Sequence, residues 1–266
     1  MSVINVDITI VGGGIAGLSL ACLLAKHTDY QIVIVEKNDL NFSEPVVGST
    51  QRVSAINHLS MNIWQHLGLS SLQSLGAAYS HMRVWDHFGG ELDFDIKEMD
   101  ESCLGWIVEN NNIQQALYSQ AKQHKAIQWF CSQSPQRIEQ DDGVTLVLSD
   151  EQSLQSQLLV AADGANSWVR EQLGIDVKTA DYGHHAIVAT VTTEQSHQQT
   201  AWQRFLSTGP LAFLPLKDDK QCSIVWSTDP DEAKRLVALS EIDFCRELSK
   251  AFQSTLGKVI KASKRI

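Results

Sequence analysis

The chain has 266 residues, of which 43% are hydrophobic and 20% are charged, a composition typical of a globular protein with a sizeable core. Its formal net charge of −10 argues against nucleic acid as a partner, because phosphate backbones are bound by concentrated positive charge. The 5 scattered cysteines form no C-x-x-C motif, so the sequence predicts a reduced, cytoplasmic protein without disulfide bonds or a metal site. No signal peptide and no membrane-spanning run are expected.

The chain opens with a pattern of strand, glycine turn, helix and second strand. Gly12, Gly14 and Gly17 form a G-x-G-x-x-G motif, with Gly13 inside it. In such a motif the first glycine permits the turn, the second lets a pyrophosphate approach, and the third lets the helix pack on the sheet. Glu36 lies 19 residues after Gly17, at the end of the second strand, where a carboxylate can bind a ribose diol. These residues predict a dinucleotide site, with a purely structural glycine turn as the alternative.

A polar stretch at residues 41–50 predicts a loop, and helical composition follows at residues 56–67. Arg52, between them, has two interpretations: a surface salt bridge, or a contact with a phosphate or flavin over the cofactor crevice. Residues 81–96 then predict a β-hairpin around Gly89-Gly90. Because this hairpin breaks the alternation of strands and helices, it predicts the first excursion into a second domain.

The middle of the chain predicts a return to the first domain, with a helix that begins near Asn110 or Asn112. An apolar strand at residues 157–162, predicted to be buried, runs into Asp163 and Gly164. Ligands of open α/β sheets bind at the carboxyl ends of strands, and glycine lets the chain reverse beside a ligand. The alternative is an ordinary turn with an Asx cap.

From residue 182 onward the pattern becomes antiparallel. Strands are predicted at 186–193, 200–206, 211–216 and 222–226, turns at Gly209-Pro210 and Asp218-Asp219, and a helical region from Asp229 to about Phe252.

Six stretches share their pattern with one known family. They are VDITIVGGGIAGLSLACLLA at 6–25, QRVSAIN at 51–57, VENNNIQQALY at 108–118, LLVAADGANSWVR at 158–170, LAFLPL at 211–216 and SIVWS at 223–227. Together they resemble the FAD-dependent aromatic hydroxylases, which are flavoprotein monooxygenases of the p-hydroxybenzoate hydroxylase fold. More specifically, the sequence is similar to the ubiquinone-biosynthesis hydroxylases of the UbiH/UbiF/VisC group.

The resemblance implies an α/β fold in which a Rossmann-like FAD-binding domain is interleaved with a mainly antiparallel β-sheet substrate domain. The FAD-binding domain would comprise residues 1–80 and 106–178, and the substrate domain residues 81–105 and 179–266.

The resemblance also implies a role for each candidate residue. The FAD pyrophosphate would be cradled by the glycines of the motif, which are Gly12, Gly13, Gly14 and Gly17. Glu36 would bind the adenosine ribose.

The remaining candidates would lie nearer the flavin or the second cofactor. Arg52 would lie near the pyrophosphate and flavin, and Asn110 would contact the flavin side. Asp163 and Gly164 match a motif linked to FAD and NAD(P)H.

Hydroxylases of this kind use FAD, NAD(P)H and O₂ to form a flavin C4a-hydroperoxide that transfers OH to an electron-rich ring. The implied substrate is a prenylated phenol or benzoquinol of ubiquinone biosynthesis. Trp202, Phe205, Phe213 and Trp226 either line its pocket or belong to the core. No side chain is assigned as a catalytic acid or base. Such a substrate leaves open a peripheral membrane contact and a multi-enzyme ubiquinone-synthesis complex.

The family's third cofactor motif, a G-D-A-A-H type stretch, is absent from the sequence. The chain is therefore expected to be a C-terminally truncated form that binds FAD weakly or not at all and is inactive by itself. Two other functions stay open from the residues: a hydroxylase of another small aromatic, or a flavin reductase, of the same fold; and a non-catalytic scaffold subunit.

Overall fold

A computed structural model describes residues 3–40, 52–98 and 100–266 of the chain. The helices are α1 (Ile15–His27), α2 (His58–His66), α3 (Ser71–Leu75), α4 (Asn110–Ala121), α5 (Trp168–Gln172), α6 (Pro230–Ala238) and α7 (Glu241–Ala251), with a 3₁₀ turn at Ile96–Glu98. The strands are β1 (Val3–Val11), β2 (Ile32–Glu36), β3 (Val53–Ile56), β4 (Ala77–Tyr79), β5 (His81–Asp86), β6 (Glu91–Asp95), β7 (Gly105–Glu109), β8 (Ile127–Cys131), β9 (Pro135–Asp141), β10 (Gly143–Leu148), β11 (Ser153–Ala161), β12 (His185–Thr193), β13 (Thr200–Leu206), β14 (Gly209–Pro215), β15 (Gln221–Thr228) and β16 (Val259–Ala262). The predicted opening of strand, glycine turn, helix and strand is confirmed by β1, α1 and β2.

The chain divides into two compact units. The first comprises Met1–Pro45, Ile63–Leu69 and Asn111–Thr179, and the second comprises Val46–Asn62, Ser70–Asn110 and Ala180–Ile266. The division into FAD-binding and substrate domains given by the sequence places several of these segments differently, and it stays a prediction.

The sheet of the first unit has the strand order β8-β2-β1-β11-β10-β9. Strands β8, β2, β1 and β11 are parallel to one another, whereas β10 pairs antiparallel with both β11 and β9. The apolar, β-branched residues of β2 are buried, as is typical of a central parallel strand. In α1 the face with Leu18, Ala21 and Cys22 is also buried, and burial raises the pKa of the Cys22 thiol to about 11.

Strand β11 differs from the prediction of a buried strand at residues 157–162. The second half of β11 is largely exposed to solvent: Leu158 is 52% exposed, and Gln157 and Ala161 are exposed as well. The reason is that β10 pairs with β11 only from Ser153 to Ser156. Beyond that point no described strand pairs with this edge of β11, so an apolar sequence does not become a buried strand.

The second unit contains two sheets. The larger has the order β16-β12-β15-β14-β13-β5-β6, and its pairs are antiparallel except for β13 with β5. The smaller has the order β3-β7-β4. One face of the larger sheet packs with α6 and α7 around a core that includes Phe213, Trp226, Leu236, Phe244 and Leu248. The predicted α/β class with a mainly antiparallel second sheet is confirmed.

Several local predictions need correction. The helical region predicted from Asp229 to Phe252 is two helices, because the Ser240 side chain accepts the N–H of Asp243 and starts α7 anew. Gly209-Pro210 is not a turn but the first two residues of β14. The loop predicted at residues 41–50 lies outside the described residues. Within the described ranges, no helix combines the length and the apolar character that a bilayer crossing requires.

Replacing Phe213 by alanine tests the core of the second unit. The Phe213 ring is fully buried and stacks on Phe252, with ring centroids 3.9 Å apart. We expect Phe213→Ala to lower the free energy of unfolding by about 3–5 kcal/mol, because a cavity replaces the ring. The control is Phe205→Ala on β13, where the side chain is 43% exposed and the expected loss is about 1 kcal/mol or less. Urea unfolding measures both, and equal losses would contradict this packing.

Candidate cofactor site

Three loops of the first unit meet at one edge of its parallel strands. Val11 of β1 pairs in register with Val35 of β2 and with Ala161 of β11, so these strands end at the same level. The glycine turn follows β1, Glu36 is the last residue of β2, and Asp163 lies two residues after the end of β11. Residues far apart in sequence are therefore brought together at the carboxyl edge, where ligands of α/β sheets bind.

A cavity of about 200 Å³ opens at this edge. Its walls include Gly12, Glu36, Gln133, Asp163 and Trp168. The N–H of Gln133 donates to the carbonyl oxygen of Glu36 (3.2 Å), so the loop after β8 is held against β2. Sequence reasoning missed Gln133 and Trp168 as wall residues. Trp168 lies in the DGANSWVR stretch, but its local pattern does not distinguish a cavity wall from the core.

Each glycine of the motif has its own steric requirement. Gly12 has a φ of +113°, and a Cβ there would overlap the carbonyl group of Ala162. A Cβ at Gly17 would overlap the carbonyl oxygen of Gly12, so only glycine lets α1 pass this close to the turn. Gly14 is different, because a Cβ there would have no heavy atom of the described residues within 4 Å. The open space faces the start of α1.

The start of α1 has no side-chain cap. Gly14 is the N-cap residue, and the first turn of α1 contains no acidic side chain. The unpaired N–H groups of a helix start and the positive end of its dipole favour an anion such as a phosphate. The geometry at Gly14 thus combines free space with donors that lack a partner from the helix itself.

Glu36 is bound to the glycine turn. Its Oε2 accepts the N–H of Gly13 (2.7 Å), and its Oε1 accepts the N–H and the side-chain amide of Asn38 (2.9 and 3.0 Å). An ionised carboxylate offers about four acceptor positions, so a position remains for a ribose hydroxyl. Glu36 therefore has a structural task beside the predicted ribose contact.

Gln114 of α4 was missed by sequence reasoning. Its Nε2 donates to the carbonyl oxygen of Gly13 (2.8 Å), across 101 residues of sequence. Gln114 stands in the VENNNIQQALY stretch, but no local pattern indicates a partner so distant. The peptide groups on both sides of Gly13 are thus held, the Gly12–Gly13 peptide by Glu36 and the Gly13–Gly14 peptide by Gln114.

Asp163 serves the turn that it begins. Its Oδ1 accepts the hydroxyl of Ser167 (2.5 Å) and its Oδ2 accepts the N–H of Val169 (3.1 Å). Ser167 in turn caps α5 by accepting the N–H of Arg170 (3.1 Å). The segment is therefore a capped turn, as the alternative predicts, but its N-cap is Ser167, to which Asp163 adds a contact with Val169. Asp163 lines the cavity at the same time. Gly164 adopts a φ of +88°, which permits the reversal.

Arg52 and Asn110 lie in the second unit. The N–H of Asn110 donates to the carbonyl of Arg52 (3.1 Å), and its Oδ1 accepts the hydroxyl of Ser54 (2.7 Å). Arg52 is exposed and forms no ion pair with any described residue, so the salt-bridge interpretation gains no support from that part of the chain. Both residues border a cavity of about 390 Å³ that Val188 and Val225 also line.

The four aromatic residues considered for a substrate pocket are mostly core. Phe213 and Trp226 are buried, and Trp202 packs against the same cluster. Phe205 is the exception, with 43% of its side chain exposed. The cavity of the second unit is instead bordered by small and aliphatic side chains of β12 and β15.

Comparison with known proteins decides the family. Residues 5–265 match the sequence profile of a family described as FAD binding domain. The chain belongs to this family. Among similar family members is 3-demethoxyubiquinol 3-hydroxylase of Escherichia coli, 32% identical over 259 residues, which cover 95% of this chain and 65% of the relative. Ubiquinone hydroxylase UbiL of Rhodospirillum rubrum is 33% identical, with 95% and 59% covered. The human ubiquinone biosynthesis monooxygenase COQ6 is 32% identical, with 93% and 56% covered.

The chain spans 56–65% of the length of these three relatives. The predicted resemblance to FAD-dependent hydroxylases of ubiquinone biosynthesis is confirmed by them. Solved structures agree in fold. PqsL of Pseudomonas aeruginosa, described as a probable FAD-dependent monooxygenase, gives a TM-score of 0.79 at 19% identity and covers 99% of this chain and 73% of its own. The p-nitrophenol 4-monooxygenase PnpA of Pseudomonas putida gives 0.72 at 19% identity, with 100% and 69% covered.

Alanine at two of the glycines tests the steric account. Gly12→Ala is expected to lower the free energy of unfolding by on the order of 3 kcal/mol, because it combines a strained φ with backbone overlap. Gly14→Ala is expected to change it by about 1 kcal/mol or less, since its Cβ enters open space and its φ of −78° suits any residue. Urea unfolding of both variants is the measurement, and a larger loss at Gly14 than at Gly12 would overturn the assignment.

Proposed function

We propose that this chain is the cofactor-binding part of a flavin-dependent monooxygenase that hydroxylates a prenylated phenol or benzoquinol ring in ubiquinone biosynthesis. The observation that carries the proposal is the identity of 32% with 3-demethoxyubiquinol 3-hydroxylase over 95% of the chain. The relatives named above share the pathway in their names. The glycine turn, Glu36 and the cavity beside them also support the proposal.

The residues of the first unit fit FAD. The space at Gly14, where a Cβ would meet no atom of the described ranges, suits a diphosphate at the uncapped start of α1. The cavity bordered by Glu36 and Trp168 suits the adenosine half, because a carboxylate can bind the ribose and an aromatic wall can pack against the base. The residues proposed to hold the cofactor are Gly12, Gly13, Gly14, Gly17, Glu36, Asp163 and Gly164 in the first unit and Arg52 and Asn110 in the second.

Bound FAD, reduced by NAD(P)H, supplies the redox chemistry that activates O₂ for hydroxylation. The protein's own contribution is to bind and orient. The glycine turn and Glu36 fix the adenosine diphosphate end, and the aliphatic cavity of the second unit offers an apolar surface to a ring substrate. No side chain is assigned a proton transfer.

A prenylated substrate favours a peripheral membrane contact or a place in a multi-enzyme complex, and both belong to the proposal. The support for this part of the proposal is chemical, since a prenyl chain partitions into lipid and must be presented to the enzyme.

Substituting Gly14 by aspartate separates binding from folding. An aspartate at the start of α1 satisfies the free N–H groups and leaves the free energy of unfolding unchanged or higher. Its charge occupies the space for the diphosphate, so FAD affinity is expected to fall by roughly tenfold or more. Quenching of flavin fluorescence measures the affinity. The control is Ser119→Asp, which adds the same charge at an exposed position of α4. Equal FAD affinity of Gly14→Asp and Ser119→Asp would contradict a diphosphate site at Gly14.

The reaction is tested with a protein that contains this chain and retains FAD. Substrate-dependent oxidation of NAD(P)H and a product that is heavier by one oxygen atom, with a prenylated phenol as substrate, are the expected results. Hydroxylation of small phenols in preference to the prenylated one would point to another aromatic substrate. NAD(P)H oxidation that no aromatic compound stimulates would contradict the proposed function.

A further inference from the structure

The peptide groups on both sides of Gly13 are fixed by two side chains from elsewhere in the first unit. Glu36 accepts the N–H of Gly13 at 2.7 Å, and Gln114 donates to its carbonyl oxygen at 2.8 Å. Both contacts are partly buried, which shields them from competition with water. The glycine turn is therefore held at its middle residue rather than only at its ends.

The planarity of the peptide group means that the contact at the Gly13 carbonyl also determines the direction of the Gly14 N–H. A trans peptide is planar, so its C=O and the N–H of the next residue point in opposite directions. No cis peptide occurs among the described residues. Fixing the Gly13 carbonyl with Gln114 thus fixes the direction of the Gly14 N–H. That N–H has no hydrogen-bond partner within the described ranges, and the space at Gly14 is open.

The need for such control follows from the sequence. Three consecutive glycines have access to many backbone conformations that other residues cannot adopt, so a free turn of this kind loses much entropy when it binds a ligand. A turn that is already held in one conformation avoids that loss at the moment of binding.

We propose that Gln114 is a positioning residue that holds the Gly14 N–H in the direction required by the diphosphate of the cofactor. The inference rests on the proposed function, because it assumes that the diphosphate binds at the start of α1. Gln114 acts through the Gly13 peptide. A purely structural role is the competing explanation, since α4 also meets α1 where the Cys22 thiol donates to the Leu117 carbonyl (3.7 Å).

The test compares Gln114→Met with Gln115→Met in the 266-residue chain. Methionine keeps the length and packing of glutamine without a donor, and Gln115 is the next residue on the same helix. We expect Gln114→Met to weaken both ADP and FAD by about threefold to tenfold, because the Gly14 N–H is no longer held in one direction, while the missing hydrogen bond lowers the unfolding midpoint only slightly. Gln115→Met is expected to bind both as the original chain does. A lower unfolding midpoint with unchanged affinities would assign Gln114 a structural role and overturn the proposal.

A glutamate at position 114 adds a readout that packing cannot imitate. Ionised glutamate has only acceptors, but the protonated acid regains one O–H donor. ADP affinity of Gln114→Glu relative to Gln114→Met is therefore expected to rise as the pH falls from about 7 to about 5, toward the ordinary pKa range of glutamate. The ratio cancels the titration of groups that both variants share. A flat ratio would contradict the hydrogen-bond explanation.

An amide spectrum tests the inference without any ligand. The Gly14 N–H resonance is expected to be single and sharp in the original chain and in Gln115→Met, and split or broadened in Gln114→Met. An unchanged Gly14 resonance in Gln114→Met overturns the proposal even if ADP and FAD bind. If neither ligand binds the original chain while the resonance broadens as expected, the positioning of Gly14 holds and the proposed diphosphate site at the start of α1 fails.

Discussion

The contact between Gly17 and the carbonyl of Gly12 is the constraint on which the rest of the site depends. Any side chain at Gly17 would overlap that carbonyl oxygen, so only glycine lets α1 start this close to the end of β1. The same approach directs the start of α1 at the edge where β1, β2 and β11 end in register. Glu36 and Asp163 reach the site only because their strands end at that level.

A second layer of contacts keeps this turn in place. Glu36 and Gln114 hold the two peptide groups that flank Gly13, and Asp163 holds the start of α5 through Ser167 and Val169. Each acidic residue that the sequence assigns to the cofactor is thus also a structural hydrogen-bond acceptor. The two tasks are compatible, because a carboxylate has more acceptor positions than these contacts use.

The local parts of this account could be predicted from the sequence, and the non-local parts could not. The glycine spacing, the apolar runs and the distance to Glu36 predict β1, α1 and β2 because each is a property of neighbouring residues. The contact from Gln114 to Gly13 joins residues 101 positions apart, and no pattern at either end indicates it. The exposure of Leu158 likewise depends on how far β10 extends along β11. The apolar composition of β11 does not indicate the length of its neighbour. The break before α7 could have been predicted from the sequence, since Ser240 followed by Asp243 is a capping signal inside a long helical region.

The central claim is that the glycine turn of the first unit is a preformed site for the adenosine diphosphate half of FAD. A crystal structure of the chain with ADP tests it most directly. The account predicts diphosphate oxygens within hydrogen-bond distance of the Gly14 N–H, ribose hydroxyls on the Glu36 carboxylate, and the glycine turn in the conformation described above. ADP bound away from Gly14, or a turn rebuilt around it with the Glu36 and Gln114 contacts broken, would contradict the account.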